Sequence, residues 1–92
     1  IPIQSLALMN SPFVSDQATR FAERVRAEAG HDTTAQIKTA IRLALSREAT
    51  TNEIQRAQQF LQAQSKTHDN PDDALIDYCQ VLLSLNEFVY IS

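Results

Sequence analysis

The chain of 92 residues contains one glycine, Gly30, and three prolines, Pro2, Pro12 and Pro71. Hairpins, sandwiches and barrels require turn residues at short intervals, so this scarcity excludes an all-β architecture. A single cysteine, Cys79, excludes an internal disulfide and leaves the redox compartment open. Apolar stretches such as Val81 to Leu83 and Phe88 to Ile91 fall far short of the roughly 20 residues that span a bilayer, so no membrane span is expected. Basic charge is not in excess either: 8 Lys and Arg stand against 11 Asp and Glu, the signs are interspersed, and the net charge is -3. Phosphate backbones attract a basic face, so no nucleic-acid partner is expected. The start at Ile1-Pro2 has no methionine, no basic segment and no long apolar segment. No targeting signal is read there, and the chain is expected to be a piece of a larger protein.

What is abundant points to helix. Ala, Gln, Leu, Arg and Glu lose little rotamer freedom in a helix, and 43% hydrophobic residues suffice for one small core. Residues 1–92 are therefore expected to form a single all-α module. A short helix is expected over Pro2 to Met9, broken at Asn10-Ser11-Pro12. Ser11 suits an N-cap and Pro12 the first helical position, where its missing N–H is not needed. Val14, Ala18, Phe21, Ala22, Val25 and Ala29 then form one apolar stripe, ended by Gly30. Asp32, Thr33 or Thr34 caps the next helix, whose buried face is Ile37, Ala40, Ile41, Ala44 and Leu45. After a short link from Ser46, Thr50 and Glu53 form a T-x-x-E capping box, and a link of that length makes the flanking helices antiparallel neighbours. The following helix buries Ile54, Ala57, Phe60 and Leu61 and turns Gln55, Gln58, Gln59 and Gln62 to water. Asn70 and Pro71 open the last helix, expected from Pro71 to Phe88. Leu75, Tyr78, Cys79, Leu82, Leu85 and Val89 line one side of it, with Ile76 and Leu83 on another. Apolar on more than one face, it is predicted to be the central helix of a compact four- to five-helix bundle.

Few residues offer chemistry. His31 and His68 fall in loops without a second ligand at metal spacing, and they read as exposed loop residues. Asp69, Asp72, Asp73 and Asp77 resemble a calcium loop superficially. An EF-hand begun at Asp69 would need Gly and Glu where the chain has Ala74 and Gln80, so the carboxylates read as partners of a helix dipole. Cys79 lies mid-helix on the apolar stripe and reads as a core thiol, not a nucleophile. Lys38, Arg42, Arg47 and Arg56 could mimic the phosphate contacts of a helix-turn-helix, but Glu48 and Glu53 beside them favour a structural pair. No catalytic, cofactor-binding or metal-ligating residue is assigned.

Two segments, Leu8-Met9-Asn10-Ser11-Pro12-Phe13-Val14 and Leu85-Asn86-Glu87-Phe88-Val89-Tyr90-Ile91, resemble the signature ends of the planctomycete PSD family of domains of unknown function (DUF1553-type). Between them, the link from Leu43 to Glu53 resembles the family's interhelix link, where a glycine and one or two prolines are usual. Ser46, Glu48 and Ala49 stand in their place here. The resemblance implies the C-terminal end of a large exported bacterial protein, periplasmic or at the cell surface. It implies a cytochrome c-like domain toward the other end, so haem is expected upstream and no cofactor in this piece. Asn10, Ser11, Pro12, Phe13, Asn86, Glu87 and Phe88 are the family-motif residues, read as structural, with Phe13 and Phe88 as core aromatics. Asn86 and Glu87 either bond the backbone at the Asn10 to Pro12 junction or face water, the two readings standing level; in the first case Asn86→Ala should cost about 1 kcal/mol or more in urea unfolding. A change within noise would reject that tie.

The expected role is a non-catalytic structural or interaction module that packs on upstream domains of the same chain or on a protein partner. The alternative is one wall of an enzyme or electron-transfer site built with those upstream domains.

Overall fold

A computed structural model describes residues 12–91, with side chains described as far as Leu85. The short helix expected over Pro2 to Met9, with Asn10 and Ser11, lies outside the described residues. Four helices are present: α1 (Pro12–Ala29), α2 (Thr33–Leu45), α3 (Thr51–Ser65) and α4 (Pro71–Ile91). The all-α class holds, and among the described residues there is no strand.

Local chemistry sets each boundary. Pro12 occupies the first position of α1, and Gly30 ends that helix at φ 74°, its N–H donating to the Arg26 carbonyl at 2.8 Å. Gln36 reaches back from α2 to donate to the Gly30 carbonyl at 2.7 Å, which satisfies a group the turn leaves free. Asp32, one of three caps considered, is the N-cap of α2 and accepts from the Ala35 N–H. Thr50 and Glu53 form the expected capping box of α3. Asn70 accepts from the Asp72 N–H at 3.0 Å at the start of α4. That last helix runs to Ile91, beyond the expected end at Phe88.

Arg26, in the last turn of α1, lies 3.8 Å from Asp72 in the first turn of α4, so these two helices run antiparallel. Their seam is the most extensive in the bundle, and α4 packs on each of the other three helices, as its apolar faces predicted. The shorter α2 does the same, whereas α1 and α3 do not touch. α1 and α3 therefore lie on opposite sides of the α2–α4 pair.

Small residues let α1 approach closely: Val14, Ala18, Ala22 and Val25 are all buried. They join Ile37, Ala40, Ile41, Ala57, Leu61, Ala74, Leu75, Tyr78, Cys79 and Leu82 in one core. Ala44, Leu45, Ile54 and Phe60 are only partly covered, being at its margin. Thr39, not expected inside, is buried because α2 is packed on more than one side.

Two expected core residues stand outside. Phe13 is 65% exposed. It precedes Val14 on α1, so it is rotated about 100° off the buried stripe, toward exposed Gln17 and Arg20. Leu85 is 51% exposed, although Leu82 three residues earlier on the same side of α4 is buried. Val89 and Phe88 belong to the part of α4 whose side chains are not described.

Candidate functional site

An ion pair clamps the link between α2 and α3 onto the start of α3. Arg47 donates to both carboxylate oxygens of Glu53, at 2.8 and 2.6 Å, and to the Glu48 carbonyl at 3.1 Å. Glu53 also accepts from the Thr50 N–H at 2.9 Å. The Arg47 hydrogen bonds, then that backbone donor, hold the Glu53 carboxyl down to about 2. Ser46 opens the link in the left-handed region, at φ 58°, with its N–H on the Arg42 carbonyl. It is the residue that stands where the resemblance led us to expect glycine.

The basic residues weighed as phosphate contacts are partly committed to this scaffold. Arg47 is held by Glu53, and Arg42 lies 3.6 Å from Glu28 of α1. Gln58, expected merely to face water, donates to the Thr34 hydroxyl at 3.0 Å and pins α3 to α2.

The acidic cluster proves to be an anchor for His68. His68 Nε2 lies 2.7 Å from an Asp77 oxygen, and Nδ1 lies 4.0 Å from Asp73. His68 is thus part-buried against α4, not the exposed loop residue its sequence position suggested. The signal that could have found this pair is Asp77 itself, one turn beyond Asp73 on the same helical face. His31 is exposed as expected. Among the described residues no group of three or more His, Cys, Asp or Glu could hold a metal.

Cys79 is fully buried on α4, and burial pushes its thiol up to about 12. It is an inert core residue. Attachment of a c-type haem requires C-x-x-C-H, so one cysteine does not provide the donor set for such a group.

Two concavities stand out among the described residues. One, of about 540 Å³, lies where α2 and α4 begin, with His31, Gln36, Gln58, Gln62 and Asp72 around a floor of Leu61 and Leu75. The other, of about 340 Å³, runs between α2, α3 and α4 toward the opposite end and is mainly apolar. Ile41, Leu45, Phe60, Tyr78, Val81 and Leu85 line it, with Glu53 and Arg56 at its rim. The Phe60 and Tyr78 rings pack at 6.0 Å between centroids, tilted by 50°, and burial pushes the Tyr78 hydroxyl up to about 12. Sequence reasoning placed both rings on buried faces but missed that they wall an open groove.

The antiparallel seam also arranges the family-motif residues. Counting back along α1 from Arg26 to Pro12, and forward the same distance along α4 from Asp72, reaches Asn86. The backbones of Pro12 and Asn86 therefore share one end of the bundle. Asn10 and Ser11, and the side chains of Asn86, Glu87 and Phe88, lie outside what is described.

Fold and grooves together define a small all-α bundle. Residues 1–61 match the family model PSD1, a protein of unknown function (DUF1553), and the chain belongs to that family. No curated protein and no solved structure matches it. Among the described residues no helix is long and apolar enough to cross a membrane.

Proposed function

We propose that this chain is a non-catalytic helical module of a large extracytoplasmic bacterial protein, and that it serves by packing. The observation that carries the reading is the apolar groove, where Leu85 stands half exposed beside Phe60, Tyr78 and Val81. Apolar side chains gathered in a concavity gain roughly 25 cal/mol per Å² when another surface covers them. The reactive residue types support the same reading. The one thiol is buried, His68 is engaged by carboxylates, and Arg47 is clamped by Glu53.

The test is amide hydrogen exchange on α3 and α4, in the isolated chain and in the longer chain expected to contain it. Packing slows exchange beside Phe60, Val81 and Leu85 in the longer chain, and equal rates would reject a docking role. Hydrolase or redox turnover by the isolated chain, above a heat-killed control, would reject the non-catalytic part.

The polar concavity favours a second reading, in which the module supplies one wall of a site completed by upstream domains. His31, Gln36 and Gln62 present donors and acceptors there without a catalytic pair. Gln62→Leu would then impair the full-length protein while leaving the fold of the module unchanged. Equal activity of the variant speaks for the packing role alone.

A further inference from the structure

The concavity where α2 and α4 begin has an apolar, buried floor, with Leu75 3% and Leu61 9% exposed. The amides of Gln36, Gln58 and Gln62 and the carboxylate of Asp72 belong to its lining. Two of these amides are fixed by the fold: Gln36 Nε2 donates to the Gly30 carbonyl and Gln58 Nε2 to the Thr34 hydroxyl. Each keeps its Oε1, to which nothing donates among the described residues. The Asp72 carboxylate faces Arg26 at 3.8 Å, which balances its charge but is too long for a hydrogen bond. The lining therefore holds acceptors in want of donors.

We infer that this concavity binds a neutral polyhydroxylated ring, its hydroxyls donating to Gln36 Oε1, Gln58 Oε1 and Asp72 while a C–H face lies on Leu61 and Leu75. The inference rests on the reading of this concavity as part of a site and names what the site takes. Size permits it: about 540 Å³ falls within the roughly 300–1,000 Å³ of small-molecule sites. Charge selects it, because an anion would meet the Asp72 carboxylate and a cation would compete with Arg26 for it. Hydroxyls also satisfy acceptors that an apolar ligand would strip of water and leave unpaired. Gln36 and Gln58 are already held through Gly30 and Thr34, so binding orders them at little further cost. The Gln62 side chain has no hydrogen-bond partner among the described residues, which leaves its amide to donate to a ring or hydroxyl oxygen.

Titration of the 92-residue chain with glucose and, separately, with myo-inositol, followed by amide resonances, tests this. Saturable shifts at millimolar concentration are expected for the Gln36, Gln58 and Gln62 side-chain amides and for the Leu75 backbone amide. A pyranose shows itself by the glucose arm, and a carbocyclic polyol by the inositol arm. Gln62→Leu should weaken binding roughly five- to tenfold, whereas Gln59→Leu, on the exposed face of α3 outside the concavity, should leave it unchanged. No saturable shift with either probe would overturn the inference. Larger shifts with acetate or methylammonium would overturn it in favour of an ion site, and so would the two variants acting alike, which would place binding elsewhere. Such a failure removes this ligand without touching the wall reading, which Gln62→Leu in the full-length protein decides separately by activity.

Discussion

Ser46 holds a backbone conformation that L side chains avoid, at φ 58° and ψ 35°, because the link to α3 must turn immediately after α2 ends. Its Cβ meets the following carbonyl there, at a cost of about 1 kcal/mol that glycine escapes. Its exposed hydroxyl offers little in return. Ser46→Gly should therefore raise stability by roughly 0.5–1 kcal/mol, read as a higher urea midpoint at unchanged slope. A lower midpoint would mean that the side chain contributes more than the strain costs. Seven residues on, Glu53 makes a claim about pH. Its folded pKa is held at about 2, below the ordinary 4.5, so the ionised form is the one the fold favours. The resulting stability is present above about 4.5 and is lost as pH falls toward 2. Solvent screens the pair, so the effect is modest. Glu53→Gln should flatten the fall of the urea midpoint between pH 5 and pH 2, and an unchanged slope would show that other carboxylates govern it.

Between elements, the α1–α4 seam depends on side chains that are small. Ala18 and Ala22 are fully buried on α1, which packs on both α4 and α2, so no room is left there for a larger residue. Ala22→Leu should destabilise by about 1–3 kcal/mol through overpacking, as measured by urea unfolding, whereas Ala27→Leu on the exposed face should change it by less than about 0.5 kcal/mol. Equal effects at the two positions would contradict the close seam. The buried stripe from Val14 to Val25 was legible because helical period and burial coincide in a helix packed along one side. The caps were legible for the same local reason: Asp32, Thr50 and Asn70 bond to backbone within three residues. What escaped depended on distant partners. Phe13 misses the core by one position of helical phase, and Leu85 is exposed because it walls an open groove between α2, α3 and α4. His68 meets Asp77 across a loop, and periodicity carries no information on any of these.

For the molecule as a whole, Cys79 reports the integrity of the bundle. It is fully buried on α4, the helix that packs on all three others, so no single displaced loop uncovers its Sγ. Burial also pushes its thiol to about 12, leaving a negligible thiolate fraction near neutrality while the fold is intact. Both protections vanish together on unfolding. Alkylation of Cys79 should accordingly be slow in the native protein and should accelerate with urea in proportion to the global unfolding constant. If opening is fast and cleavage of the seam cooperative, the slope of log rate against urea equals the equilibrium m-value divided by 2.303RT. A shallower slope would show α4 detaching locally, and a rate independent of urea would show the thiol reachable in the folded bundle. The first outcome would mean that the seam with α1 opens before the α2–α3 hairpin does, and Ser46→Gly, which strengthens only the hairpin, would then leave the labelling rate unchanged.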